Sequence, residues 1–201
     1  MTKVTLSLLA CVAASALVLA ACSSSSSSTT TPTAHSGAVT AVPTENSPAG
    51  DIPDNQAFVT YTSSAGGYSL DTPEGWARTE SGSNVRLTDK QHSISVDVTS
   101  ATSAPTMDSV TNAELPTLTT QVEAFEKKSV ESVDLPSGKA IHVTYLANSA
   151  PDAVTGKQVR LEVDRYEIFK NGKLAVMSLS APAGSDNFDV WNQISSSFAW
   201  H

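Results

Sequence analysis

The stretch from Gln158 to Leu179 reads QVRLEVDRYEIFKNGKLAVMSL. Asn171-Gly172 falls between two apolar-patterned arms, Gln158 to Phe169 and Leu174 to Leu179. A two-residue turn of the type that matches strand twist needs positive φ at both central residues, and Asn-Gly adopts this most readily. The pair is therefore the strongest local hairpin signal in the chain. In the first arm Val159, Leu161 and Val163 share one parity, whereas Tyr166 and Ile168 have the other. A strand alternates its faces residue by residue, so this predicts either a bulge or a change of buried face near Asp164-Arg165.

Upstream, strands are expected over Val130 to Leu135 and Ala140 to Leu146, joined by a turn at Pro136-Ser137-Gly138. Before them Leu115, Leu118, Val122 and Phe125 recur at helical spacing. Pro116 stands near the first turn and Lys127-Lys128 near the C-terminal end, which predicts one amphipathic helix. Ile94, Val96 and Val98 alternate with Ser93, Ser95 and Asp97, the pattern of a half-buried strand. Val85 and Leu87 begin another strand. Earlier still, Phe58, Val59 and Tyr61 open the ordered region and Gly66-Gly67 mark a turn. Tyr68 to Asp71 follow as a short strand, and Thr72-Pro73-Glu74-Gly75-Trp76 as a turn. After the hairpin, Asp186 with Asp189 suits a helix N-cap, with Phe188, Trp191 and Ile194 as the apolar face and Phe198 extending it. Strands, helix, strands, helix with hairpin connections predict an α+β domain: a mainly antiparallel sheet with helices packed on it.

The N-terminus carries a different message. Lys3 is followed by an uncharged run from Val4 to Leu19, then Leu19-Ala20-Ala21-Cys22. A charged start, an apolar core and small residues at a cleavage site make a secretory signal. The run of ~16 residues is at or below the short end of the roughly 17–25 that cross a bilayer, which disfavours a transmembrane anchor. An ordinary signal peptide would not need a cysteine directly after the small residues. The expected arrangement is a lipoprotein signal at 1–21, cleaved between Ala21 and Cys22, with the Cys22 thiol carrying a diacylglycerol. Two acyl chains anchor stably where one does not. The chain would then sit on the extracytoplasmic side of the cell membrane. Ser23 to Ser28, Thr29-Thr30-Thr31-Pro32-Thr33, Pro43, Pro48 and Pro53 mark residues 22–55 as a low-complexity tether. Such a stretch cannot bury enough apolar surface to offset ordering, so it is expected to be disordered, as a bare spacer or a carrier of O-linked sugars. About 30 flexible residues span roughly 30 Å. The globular domain is expected over 56–201.

Composition excludes several chemistries. The chain has 2 cysteines, and cleavage removes Cys11, so lipidation of Cys22 leaves no thiol, disulfide or cysteine metal site downstream. The formal net charge is −8, with no basic stripe, which argues against nucleic-acid binding. No Gly-x-Ser-x-Gly elbow or His-Glu-x-x-His pair occurs. Ser137-Gly138-Lys139 resembles the end of a P-loop but lacks the upstream glycine and sits between two strands, so it reads as a hairpin turn. His35 lies in the tether and His201 at the terminus. His92 shares parity with Ile94 and is expected to cap a buried face, and His142 lies opposite Ile141, Val143 and Tyr145. Asp152, Asp164, Asp186 and Asp189 lack the order of a calcium loop. Tyr68, Trp76, Trp191 and Trp200 are read as core in preference to a ligand pocket. No catalytic, metal or cofactor set is legible, and the residues alone assign no ligand-binding position.

Gly67-Tyr68-Ser69-Leu70, then Pro73-Glu74-Gly75-Trp76, a central helix, a hairpin-rich sheet and a terminal helix closing on Ser195-Ser196-Ser197-Phe198 resemble the PsbP-like fold. Small actinobacterial lipoproteins of the LpqN/LpqT type share this plan of signal, tether and domain. The resemblance covers roughly residues 56–200. It implies a PsbP-like α/β/α sandwich and a non-enzymatic accessory or binding module. The anchor, the long tether and the absence of a catalytic set lead to the expectation of a partner in envelope lipid or cell-wall transport and assembly, either an envelope protein or an apolar ligand such as an envelope lipid. The rival expectation is a hydrolase or transferase on cell-wall material. A polar pocket holding His142 or His92 beside a carboxylate would favour that rival, and a continuous apolar groove would favour lipid binding.

Overall fold

The computed structural model describes residues 50–201. The signal, Ala21, Cys22 and the tether up to residue 49 lie outside the described residues. Among the described residues, no helix is long and apolar enough to cross a membrane.

The first strands, β1 (Phe58–Ser63) and β2 (Tyr68–Pro73), form a small antiparallel sheet that a final short strand completes. β3 (Ala77–Ser81), β4 (Asn84–Asp89) and β5 (His92–Ser100) follow as a meander. A helical segment comes next: α1 (Met107–Ser109), a π-helical turn at Val110–Glu114, and α2 (Leu115–Gln121). The strands β6 (Glu126–Leu135), β7 (Gly138–Asn148), β8 (Arg160–Lys170) and β9 (Lys173–Pro182) complete a seven-stranded antiparallel sheet in the order β3-β4-β5-β9-β8-β7-β6. The chain closes with α3 (Phe188–Ser197) and β10 (Ala199–Trp200), which pairs with β2. The α+β architecture expected from the sequence is the one found.

The Asn171-Gly172 turn has φ of 50° and 79° at its two residues, and Lys170 pairs with Lys173 across it. The register of β8 is unbroken from Leu161↔Pro182 to this turn, and unbroken against β7. The parity switch in β8 is therefore a change of buried face. The sheet is covered on both sides. On one side Tyr166 and Ile168 join Ala140, Met177 and Leu179 beneath α3 and the small sheet, with Tyr68, Ile194 and Phe198. On the other side Val163 joins Ile141, Val143 and Tyr145 beneath Val110, Leu115 and Leu118 of the helical segment. The irregular register lies instead in β6, between Lys127 and Ser129.

The central helix departs from its expected limits. It begins at Met107, capped by Thr106, whose Oγ1 accepts from Ser109 N–H at 3.1 Å while Ser109 Oγ accepts from Thr106 N–H at 2.8 Å. Pro116 has no N–H and its ring crowds the carbonyl four residues back. The preceding turn widens to a π turn, with Leu115 N–H donating to Val110 O. The helix ends at Gln121, Val122 is extended and Ala124 has φ of 51°. Phe125 and Lys127-Lys128 thus lie at or inside β6, not in a last helical turn. Phe125 still packs on Tyr145, at 5.1 Å between ring centroids, so the spacing reported shared burial without reporting helix.

At α3, Val190, Trp191, Ile194 and Ser195 form the buried face. Phe188, expected on that face, is 70% exposed. Neither does Asp186 cap the helix: Asn187 holds the N-cap position and makes no cap bond. Its side chain instead binds the N-terminal end of the described chain, Oδ1 accepting from Ile52 N–H at 2.7 Å and Nδ2 donating to Gly50 O at 3.1 Å. Ile52 is buried in the core, so the folded unit extends back to Gly50, before the boundary expected at 56. Phe198 leaves the helix in extended conformation and stacks on Tyr68 at 5.5 Å.

Candidate functional site

A groove of about 590 Å³ runs between α3 and the β6–β8 part of the large sheet. Its floor follows from the register. His142↔Tyr166 and Thr144↔Asp164 are neighbouring cross-strand pairs on the same face, and opposed residues on one face interact directly. His142 Nε2 donates to Asp164 Oδ1 at 2.7 Å, and Thr144 Oγ1 donates to the same oxygen at 3.3 Å. The imidazole lies flat on the Tyr166 ring, 4.3 Å away with 2° between planes. Burial first, then the Asp164 carboxylate, push the Tyr166 hydroxyl above its ordinary value, so it stays neutral at physiological pH.

Chemically, the groove has one sign of charge. Glu131, Asp134, Glu162, Asp164 and Asp186 line it, and no lysine or arginine does. Asp134 reaches Lys139 at 2.8 Å and Asp164 reaches His142. Among the described residues no salt bridge engages Glu131, Glu162 or Asp186. Apolar side chains sit among these acids: Leu135, Trp191 and the exposed Phe188. The groove is thus polar and aromatic together, not the continuous apolar channel a lipid chain would need.

The His–Asp pair meets one half of a base-and-nucleophile arrangement. A triad needs a hydroxyl or thiol on the imidazole nitrogen opposite the carboxylate. Thr144 Oγ1 is 3.4 Å from His142 Nε2, the nitrogen that already faces Asp164. The hydroxyl is therefore on the carboxylate's side of the ring.

The other sequence candidates are dispersed. His92 is buried, its Nε2 donating to Gly50 O at 2.6 Å, with Trp76 5.9 Å away, so it ties a strand edge to the segment around Gly50. His201 Nε2 meets Ser69 Oγ at 2.9 Å. Asp152 accepts from Thr155 N–H at 2.7 Å and Val154 N–H at 3.1 Å in an exposed turn. The hydrogen bonds from Thr155, then Val154, hold its carboxyl below the usual range. Pro136-Ser137 forms the turn between β6 and β7, and Gly138-Lys139 are the first residues of β7. Tyr68 and Trp200 pack with Phe198 in the core, whereas Trp191 is both buried and part of the groove wall. Among the described residues no three histidine or acidic side chains converge as a metal site. His35 lies outside the described residues. Sequence reasoning considered His142 and Asp164 separately and missed their contact. The signal that could have found it is the β7–β8 register.

No protein-family model matches the sequence, and no curated protein is similar to it in sequence. Solved structures do match. The solution structure of cyanobacterial PsbP from Synechocystis superposes with a TM-score of 0.53 at 15% identity, covering 77% of this chain and 99% of that one. The Ran-binding protein Mog1p of Saccharomyces cerevisiae gives 0.50 at 10% identity, covering 72% and 96%. LpqN of Mycobacterium tuberculosis, described as involved in cell envelope biogenesis, gives 0.41 at 15% identity, covering 74% and 87%. With two sheets, a helix against each face of the larger one and this superposition, the folded unit is a PsbP-like α+β domain.

Proposed function

We propose that this chain is a cell-envelope lipoprotein, anchored through a diacylglyceryl group on Cys22, whose PsbP-like domain is a non-catalytic accessory module that binds a partner in the α3 groove. The observation that carries this reading is the groove lining: five carboxylates, exposed Phe188, and no lysine or arginine. A surface of one charge sign attracts its opposite and repels its like. The partner is a cationic segment of an envelope protein, with an apolar residue covering Phe188. An anionic lipid headgroup is disfavoured by the same charges. The likeness to LpqN is in keeping with an envelope setting.

Two measurements test the two halves. Cys22→Ala is expected to release the protein from the membrane fraction, and retention would overturn the anchor. Reversing the groove charge with Glu131→Lys and Glu162→Lys is expected to abolish partner recovery on affinity capture with the anchor intact. Unchanged recovery would overturn the groove. The His142–Asp164 pair favours a second reading, acid–base chemistry on cell-wall material. That reading requires His142→Ala to abolish turnover of cell-wall fragments, and wild-type protein that turns over none of them removes it.

A further inference from the structure

The face of the sheet away from the groove holds a second polar site. Glu167 on β8 is 1% exposed. Its Oε1 is buried without a hydrogen-bond partner and lies 3.5 Å from Arg165 Nε, which is itself buried and unpartnered. Arg165 is already engaged, its terminal nitrogen paired with Glu114. One guanidinium therefore stands between two carboxylates. Glu114 and Glu167 both border a pocket of about 450 Å³, and Glu114 is set there by the π turn that it closes. Single π turns inside helices recur at functional sites.

We propose that this pocket binds a primary ammonium group on a short aliphatic stem, with Glu167 and Glu114 as acceptors. Two carboxylates against one guanidinium leave room for a single positive charge. An ammonium has three donors and no acceptor, which matches a site short of donors. Ala104, Pro105, Ala113 and Leu174 line the same pocket and give the stem an apolar wall, the way lysine stems lie along apolar surface. A divalent cation fits less well, since it seeks more oxygen ligands than two carboxylates give and Arg165 would oppose it. Burial first, then Glu114, push the Glu167 carboxyl up to about 8, so the carboxyl holds a proton at neutral pH, and an ammonium group would take its place as counter-charge with release of that proton. The site lies across the sheet from the groove and does not rest on the function proposed above.

The test is calorimetric titration of the full mature chain in detergent with n-butylammonium chloride, with n-butanol as the uncharged control. Wild type is expected to bind butylammonium and not butanol. Glu167→Gln is expected to bind at least about tenfold more weakly, the loss of one charge-assisted hydrogen bond. Glu131→Gln, in the other groove, is expected to bind as wild type. A thermal melt of each variant confirms folding, and Glu167→Asp, which keeps the charge, is expected to retain part of the affinity. Equal affinity in wild type and Glu167→Gln, an equal loss in Glu131→Gln, or no butylammonium binding at all would overturn the proposal. Tighter binding of Nα-acetyl-lysine amide than of 1,4-diaminobutane supports the site with a partner's lysine as source. The reverse order supports it with a free amine.

Discussion

Glu167 illustrates how a single side chain escapes a reading of the sequence. It alternates with apolar Tyr166 and Ile168, so by pattern it faces outward. It does face away from them, but the α1–α2 segment covers that face as well, and Glu167 is buried there beside Arg165. Its carboxyl rises from 4.5 to about 8, through burial first and Glu114 second. The folded chain therefore keeps a proton that the unfolded chain releases above about 4.5. The native state then binds more protons than the unfolded one, so stability falls as pH rises through this window and levels off above about 8. Glutamine copies the protonated form and cannot ionise. Urea unfolding of Glu167→Gln across this range is expected to show a flatter pH profile than wild type and greater stability at its alkaline end. Parallel profiles would show that Glu167 is ionised in the folded protein.

Elements were legible where the local pattern and the tertiary packing agree. The Asn171-Gly172 turn did so, because its backbone needs are met within two residues. The β8 parity switch was legible as an event but not as a cause, since a bulge and a change of buried face leave the same alternation. The helix ends are not legible in the spacing, because Leu115, Leu118, Val122 and Phe125 share one core while the backbone turns at Val122 for entry to β6. The helix start was marked only by the Thr106–Ser109 cap. The role of Asn187 is not legible, because a cap position next to Asp186 does not reveal what its amide will meet. That amide holds Gly50 and Ile52, residues far away in sequence. Asn187→Ala leaves a buried backbone N–H unpaired, at a cost of about 1–3 kcal/mol. Hydrogen exchange is expected to show lost protection at the Ile52 amide with the α3 amides still protected. Unchanged protection at Ile52 would mean that apolar burial alone holds the N-terminal segment.

Across the whole molecule, the two cores put different chemistry on the two faces of one sheet. Residues from β6, β7 and β8 meet α3 around His142 and Asp164, and the opposite face meets the π turn around Glu114, Arg165 and Glu167. The fold class could be read from hairpin signals and periodicity, but neither site could. The His142–Asp164 contact depends on a register that is fixed by turns at both ends of β7 and β8. The acidic character of the groove arises only when β6, β8 and the α3 entry are brought together. Net negative charge was plain in the composition, yet its concentration along one groove was not. A cationic partner should therefore bind in a salt-sensitive way, because exposed charges are screened beyond about 10 Å at 0.1 M salt. The most direct test is in-cell photo-crosslinking from position 188 with Cys22 intact, in wild type and in the Glu131→Lys, Glu162→Lys variant. A discrete adduct whose crosslinked segment carries lysine or arginine, lost on charge reversal, is the predicted result. No adduct, or the same adduct in both proteins, would contradict the account.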